Sequence, residues 1–437
     1  MSRPADDTPV RTLALAAREA TRRLAITETG TRNRILTTLA EFLLRDADPI
    51  LAANERDLAA AKEVVSASVF QRLRLDGSKL QEMAAGVRAV AALPDPLNQV
   101  QLRRLLDDGL ELTRVTCPLG VLGVVFESRP DALIQISALA LKSGNAVLLK
   151  GGHEARQSNA ALLAVVQEAL KANGQPVAAV QGLEDRESVA ALLSLDDLVD
   201  LVIPRGSNAL VRHIQASTKI PVLGHAEGIC HMYLDAAADT AMALALVRDA
   251  KLQYPSACNA VETVLIHAAA APRLLPLLAA DLRSRGVELR GCAACRALVP
   301  TLSPATEADW DTEYGEPILA LKVVQDLDEA LAHIRAHGSG HTEAIVTDDP
   351  RAAARFLAEV DAAGVFHNAS TRFADGFRYG FGAEVGISTG RIHARGPVGL
   401  EGLLSHRYLL RGSGHQVETY SGPSARTFRH LDLPLES

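Results

Sequence analysis

The segment Tyr254-Pro255-Ser256-Ala257-Cys258-Asn259-Ala260 puts one thiol in a turn of small residues, directly ahead of the run Glu262-Thr263-Val264-Leu265-Ile266-His267. A strand starting there fixes the thiol in place, and Ser256 and Ala257 leave room beside it. Thiolates attack acyl carbons readily, so Cys258 suits chemistry through a thioester. A cysteine taken alone is more often a small buried hydrophobe. The catalytic reading therefore depends on what the rest of the chain supplies.

Four loops supply polar groups where strands give way to helices. Pro204-Arg205-Gly206-Ser207 combines a glycine, which permits close backbone approach, with a helix start that attracts an anion such as a pyrophosphate. Leu148-Leu149-Lys150-Gly151-Gly152-His153-Glu154 ends a strand on a lysine followed by two glycines, so Lys150 can reach a ribose or phosphate. Neither is the G-x-G-x-x-G fingerprint. Phe126-Glu127-Ser128-Arg129-Pro130 and Asn368-Ala369-Ser370-Thr371-Arg372 each offer hydroxyl groups and a guanidinium after a strand, which suits an anionic substrate. Each loop also reads as an ordinary β–α connection, and each arginine as a surface ion pair.

The elements that must position these groups fall into two series. Residues 10–92 carry helical spacing, for example Leu13, Ala16, Ala17, Ala20 and Leu24. Pro94-Asp95-Pro96 ends it, and 100–116 alternates about Asp107-Asp108-Gly109 as a hairpin. From 119 the period changes to repeated β–α alternation, with strands expected over 121–126, 146–149, 177–180, 198–203 and 220–223. A second α/β series carries strands over 262–267, 287–289, 318–324, 344–346 and 365–367. Leu403 to Leu410 reads as a strand joining the hairpin, and 421–437 as a loosely held tail. The fold class is therefore α/β, with two doubly wound parallel-sheet domains and a β-hairpin arm.

Composition excludes several functions. The 437 residues are 48% hydrophobic and 22% charged, with a net charge of -7 and no long basic run, so nucleic-acid binding is disfavoured. No apolar run approaches the roughly 20 residues that span a bilayer, and the polar N-terminus shows no secretory signal, so a cytoplasmic protein is expected. Five cysteines, an odd number, read as free thiols. Cys292-Ala293-Ala294-Cys295 lacks two further ligands at suitable spacing, so no metal is expected.

Several long strings resemble the γ-glutamyl phosphate reductases, or glutamate-5-semialdehyde dehydrogenases, of the aldehyde dehydrogenase superfamily. They are Gly123–Pro130, Leu141–Val147, Thr218–Gly228 and Gly380–Ser388, and the resemblance runs from about 10 to 412. It implies an aldehyde-dehydrogenase-like fold: a cofactor-binding domain over 1–99 and 117–235, a catalytic domain over 236–395, an oligomerisation arm over 100–116 and 396–420, and the tail. It implies Cys258 as nucleophile, with Lys150 on the adenosine ribose or its phosphate, Gly206 and Ser207 in the pyrophosphate loop, and Glu313 on the nicotinamide ribose. Ser128 stands where the superfamily usually has an oxyanion-binding Asn; the backbone N–H of Cys258 is the other expected donor. Arg129 and Arg372 are the expected anchors for substrate carboxylate or phosphate.

Thioester-hydrolysing members of the superfamily carry a glutamate base upstream of the cysteine. Here Gly224 or His225 falls nearer that slot, and Glu227 stands as a possible proton donor. Without a water-activating base the intermediate is kept for reduction. The resemblance thus implies NADPH-dependent reduction of L-glutamyl 5-phosphate to L-glutamate 5-semialdehyde, the second step of proline biosynthesis. It also implies NADP(H) as cofactor, a homo-oligomer, and glutamate 5-kinase as a partner that hands over a labile substrate. Two other readings stay open: a coenzyme-A-acylating aldehyde dehydrogenase, and a catalytically silent relative that serves in binding.

Overall fold

The computed structural model describes residues 8–435 apart from 185, 186 and 226. The chain divides into two compact units. One comprises the chain up to Leu223 with Gly382–Gly386 and the chain from Val398; the other comprises Gly224–Phe381 with Ile387–Pro397.

The first unit begins with helices whose starts are capped by side chains: Thr8 accepts from Arg11 N ahead of Pro9–Leu24, and Asp76 from Lys79 N ahead of Gly77–Ala92. Its parallel sheet runs Val180–Gly182, Ala146–Lys150, Val121–Phe126, Leu201–Arg205. The helix Pro130–Lys142 is apolar nearly all round and is buried accordingly. It ends at Gly144, whose φ of +73° a Cβ-bearing residue rarely adopts. The polar groups of that turn are structural. Lys142 Nζ donates to Asn33 Oδ1 at 2.7 Å and the Ala91 carbonyl at 2.9 Å, while Asn145 accepts from Gly120 N and donates to the Leu403 carbonyl.

The segment 220–223, expected as a strand, makes a single bridge, Val202 with Val222. Pro221 has no N–H to continue the ladder. The hairpin Val100–Asp107 and Leu110–Pro118 is antiparallel, and Leu404–Arg411 adds to its outer side. The chain beyond 421 returns to the ribbon. Leu431–Asp432 pairs with Val100–Asp107, and the carboxylate of Asp107 takes Tyr420 Oη at 2.9 Å and Arg426 Nε at 2.7 Å.

The second unit is built on a seven-stranded sheet in which every pair is parallel. Its order is Ser303–Pro304, Glu288–Gly291, Ile318–Val324, Val261–His267, Cys230–Leu234, Thr342–Val346, Gly364–His367. Cys230–Leu234 puts the change of unit ahead of 236, because this strand lies between two central strands of the second sheet. Parallel strands buried on both faces read as near-continuous apolar runs, and Val264, Leu265, Ile266, Leu319 and Leu321 are fully buried. No helix among the described residues is long and apolar enough to cross a membrane.

Candidate active site

Three adjacent parallel strands of the second unit start at one edge: Val261–His267, Cys230–Leu234 and Thr342–Val346. The residues that lead into them meet there. Cys258 is half-buried, Cys230 is fully buried, and the Cys230 thiol lies 3.4 Å from the Cys258 carbonyl oxygen, to which it donates. Burial pushes the Cys230 thiol well above the usual range, so it stays protonated and serves as a strut for the nucleophile loop. Asn259 Nδ2 donates to the Ala374 carbonyl at 2.8 Å and ties the loop down on its other side.

Two imidazoles and a guanidinium complete this edge. His225, Cys258 and His341 each bring one ligand atom within 4.8 Å of the others. His225 Nδ1 lies 2.9 Å from the Ile387 carbonyl oxygen, and the two rings meet edge to face at 5.0 Å between centroids. His341 is buried with Nδ1 2.9 Å from Thr342 Oγ1. Arg372, also buried, donates from Nε to Gln253 Oε1 at 2.9 Å, and its guanidinium lies 5.9 Å from the Tyr254 ring centroid. Burial and then repulsion from Arg378 lower its pKa, while the Cys258 thiolate is close enough to support the charge.

Behind the nucleophile the strand bulges. Cys230 pairs with Val261 and His231 with Thr263, leaving Glu262 as the extra residue. Its carboxylate meets Lys251 Nζ at 2.6 Å, both side chains fully buried. Burial outweighs pairing, raising Glu262 to about 7 and lowering Lys251. Gly315 N donates to the same carboxylate at 3.3 Å, and half-buried Glu313, two residues before it, repels Glu262 while it supports the Lys251 charge.

The remaining expected residues gather in the first unit, at the carboxyl ends of three adjacent parallel strands. Lys150 Nζ donates to the Gly151 carbonyl at 2.6 Å. Ser128 has a φ of +51°, and its N–H and hydroxyl both donate to Glu154 Oε1, at 2.7 and 2.9 Å. Ser207 N donates to Glu127 Oε2 at 2.8 Å at the start of the helix Asn208–Ser217. Gly206 has no room for a side chain: an added Cβ would lie 2.4 Å from that same carboxylate oxygen. Arg129 is exposed at the start of Pro130–Lys142.

This layout has known counterparts. The aldehyde dehydrogenase family model matches residues 3–289. A γ-glutamyl phosphate reductase of Synechococcus sp. (strain JA-2-3B'a(2-13)) is 58% identical over 434 residues, covering 98% of this chain and 95% of that one. The chain belongs to the γ-glutamyl phosphate reductase family. Another reductase of that name, from Cyanothece sp. (strain PCC 7425 / ATCC 29141), is 56% identical over 98% of this chain and 99% of its own length. The solved γ-glutamyl phosphate reductase of Thermotoga maritima superposes with a TM-score of 0.92 at 41% identity, covering 94% of this chain and all of that one. An acetylating aldehyde dehydrogenase from Geobacillus thermoglucosidasius superposes at 0.67 with 17% identity, a likeness of fold alone.

For this reductase-family chain, sequence reasoning singled out Cys258 and Arg372, which the second unit brings together, but gave His341 no part. His225 was in view only as the occupant of the missing-base slot. The available signal for His341 was its place immediately ahead of the strand Thr342–Val346, much as Cys258 lies three residues ahead of Val261–His267.

Proposed function

We propose that the chain reduces L-glutamyl 5-phosphate to L-glutamate 5-semialdehyde and phosphate with NADPH, as the second step of proline biosynthesis. One observation carries the reading: His225 and His341 each bring a ring nitrogen within 4.8 Å of the Cys258 sulfur, and Arg372 lies close enough to feel its charge. That setting suits an anionic acyl donor. The Cys258 thiolate adds to the acyl carbon and the C–O bond to phosphate breaks, leaving a thioester; Arg372 balances the leaving charge. Two imidazoles beside the sulfur are candidates to take the thiol proton and later return one to the oxygen. The Cys258 backbone N–H and the Ser128 hydroxyl are proposed as oxyanion donors, with Ser128 turning from Glu154 to act.

The first unit fits a dinucleotide. Glu127 holds the Ser207 N–H as an anion would, and Gly206 leaves its backbone accessible, so the loop already cradles a negative group. Lys150 is proposed on the adenosine ribose and its 2′-phosphate, with Glu154 drawn to Ser128, and Glu313 on the nicotinamide ribose. Bound NADPH supplies the hydride that reduces the thioester. The resulting thiohemiacetal on Cys258 gives its hydroxyl proton to an imidazole, expels the thiolate and releases the aldehyde. Arg129 and Arg372 are proposed to orient the substrate's carboxylate and phosphate.

Among the described residues Leu404–Arg411 pairs on one side only and exposes Tyr408 and Leu410, which supports pairing with a second copy, and handover from glutamate 5-kinase in the cytoplasm belongs to the same reading. The test is NADPH formation from NADP, glutamate semialdehyde and phosphate, wild type beside Cys258→Ser. Phosphate-dependent turnover lost in the variant is expected. Turnover without phosphate would overturn the reading in favour of a hydrolytic dehydrogenase.

A further inference from the structure

The three groups at the strand edge also make a donor set for a metal. We propose that Cys258 Sγ, His225 Nε2 and His341 Nε2 bind one Zn2+ reversibly, holding the nucleophile as a metal thiolate and silencing it. The silencing rests on the catalytic reading of Cys258; the binding does not.

The orientation of both rings supports the assignment. A carbonyl oxygen only accepts, so His225 Nδ1, 2.9 Å from the Ile387 carbonyl, carries the hydrogen. Its Nε2 then presents a lone pair, in the arrangement by which backbone carbonyls fix metal-binding histidines. In His341, Nδ1 is taken by Thr342 Oγ1, while Nε2 is buried without a hydrogen-bond partner and the residue is 1% exposed. A buried nitrogen left unmatched is unfavourable; in the tautomer in which Nδ1–H donates to Thr342 Oγ1, Nε2 carries a lone pair, and a cation bound there removes that penalty.

The donor types select the ion. One thiolate and two imidazoles suit Zn2+, leaving a fourth position for water or a substrate oxygen. Bond lengths of about 2.3 Å to sulfur and about 2.0–2.1 Å to nitrogen place ligand atoms on a tetrahedral ion roughly 3.3–3.6 Å apart. One ligand atom from each of the three residues now lies within 4.8 Å of the other two, so the set must close by about an ångström. The closure falls to the irregular segment that carries His225 and to rotation of the Cys258 side chain, whose loop backbone stays pinned, while His341 directly precedes its strand. Binding exchanges the thiol proton for the metal: Cys258–SH and Zn2+ give the zinc thiolate and H+. The Arg372 cation opposes the ion's charge, which makes the site reversible.

The test uses the full chain freed of metal, titrated with Co2+ as a visible substitute, then displaced by Zn2+. One equivalent should give a thiolate-to-cobalt charge-transfer band and the d–d absorption of tetrahedral cobalt. Cys258→Ser should abolish the band, and His225→Ala should weaken binding at least tenfold. His341→Gln should do the same; His225, half-buried on a loop, keeps the test decisive if that variant does not fold. Zn2+ should block turnover, with full recovery on adding chelator. A band that survives Cys258→Ser but disappears in Cys292→Ser would overturn the site, placing the metal on the Cys292–Cys295 pair. Phosphate-dependent turnover without any Cys258-dependent band would sink the metal site and leave the reductase reading intact. A Cys258-dependent band in a chain without phosphate-dependent turnover would leave the site standing and remove the reductase reading.

Discussion

Gly228 packs directly on the backbone of Cys258: a Cβ added to Gly228 would lie 2.1 Å from the Cys258 carbonyl oxygen and 2.7 Å from its Cα. No flexible side chain is there to yield. The glycine that precedes Ile229 and Cys230 thus sets how deeply the nucleophile loop sits at the strand edge.

Gly228→Ala should therefore displace the thiol. Overpacking against backbone destabilises by about 1–3 kcal/mol. The larger effect should be on chemistry, since a shift of about 1 Å in a reacting group can lower the rate on the order of a hundredfold. Steady-state kinetics should show kcat falling with the KM for NADPH unchanged, and iodoacetamide should modify Cys258 at an altered rate. Wild-type kcat and alkylation in this variant would mean that the contact does not position the thiol.

Lys251 and Glu262, fully buried and 2.6 Å apart, give a second prediction. Lys251→Met leaves a lone buried carboxyl and should destabilise the chain by about 3–5 kcal/mol at neutral pH. Adding Glu262→Gln should restore part of that loss. The pH dependence has a definite sign. Burial already raises Glu262 from 4.5 to about 7, and losing Lys251 pushes it higher still. A group whose folded pKa lies above its unfolded value contributes most below the unfolded value and loses that contribution as pH rises. Urea melts of Lys251→Met should thus give greater stability at pH 5 than at pH 8. The opposite order would show that Glu262 ionises freely in the fold.

Much of this architecture was legible in the chain. Asp108-Gly109 marked the turn of the ribbon, and the change of period near residue 119 marked the first parallel sheet. Cys258 stood out because small residues precede an apolar strand. Cys230–Leu234 did not, because His231 interrupts the apolar run; its ring and backbone N–H meet the buried carboxylate of Glu343 at 3.0 and 2.7 Å. His341 lies 83 residues beyond Cys258 (341 − 258) and reaches it only through strand order, with Cys230–Leu234 between their strands. Spacing along the chain carries no trace of that neighbourhood.

Cys292 and Cys295, with sulfurs 3.6 Å apart, supply a reactive thiol outside the candidate site. Cys292 is held down at about 5, first by its hydrogen bond with Cys295 and aided by the Val323 N–H, whereas Cys295 is pushed up by the same bond and by burial. In a Cys258→Ser background, iodoacetamide should label Cys292 first, with a rate rising around pH 5 and flat by pH 7. Mass spectrometry reads the site directly. Cys292→Ser should keep reductase activity, and its loss would tie this pair to the reaction.

Glu127 lies on the Ser207 N–H at 2.8 Å, where the proposed pyrophosphate would bind. The carboxylate competes twice, by occupying the donor and by repelling a polyanion. Removing it should help the cofactor. An exchanged hydrogen bond is worth about 0.5–1.5 kcal/mol, so Glu127→Ala, which removes the acceptor, should tighten NADPH binding by roughly 2- to 12-fold in a fluorescence titration. Because its amide oxygen can still accept the Ser207 N–H, Glu127→Gln should tighten it less. The effect should shrink as salt is added, since part of it is charge repulsion. If both variants bind NADPH more weakly, Glu127 is itself a cofactor contact, and the dinucleotide takes its hydrogen bonds elsewhere in the loop.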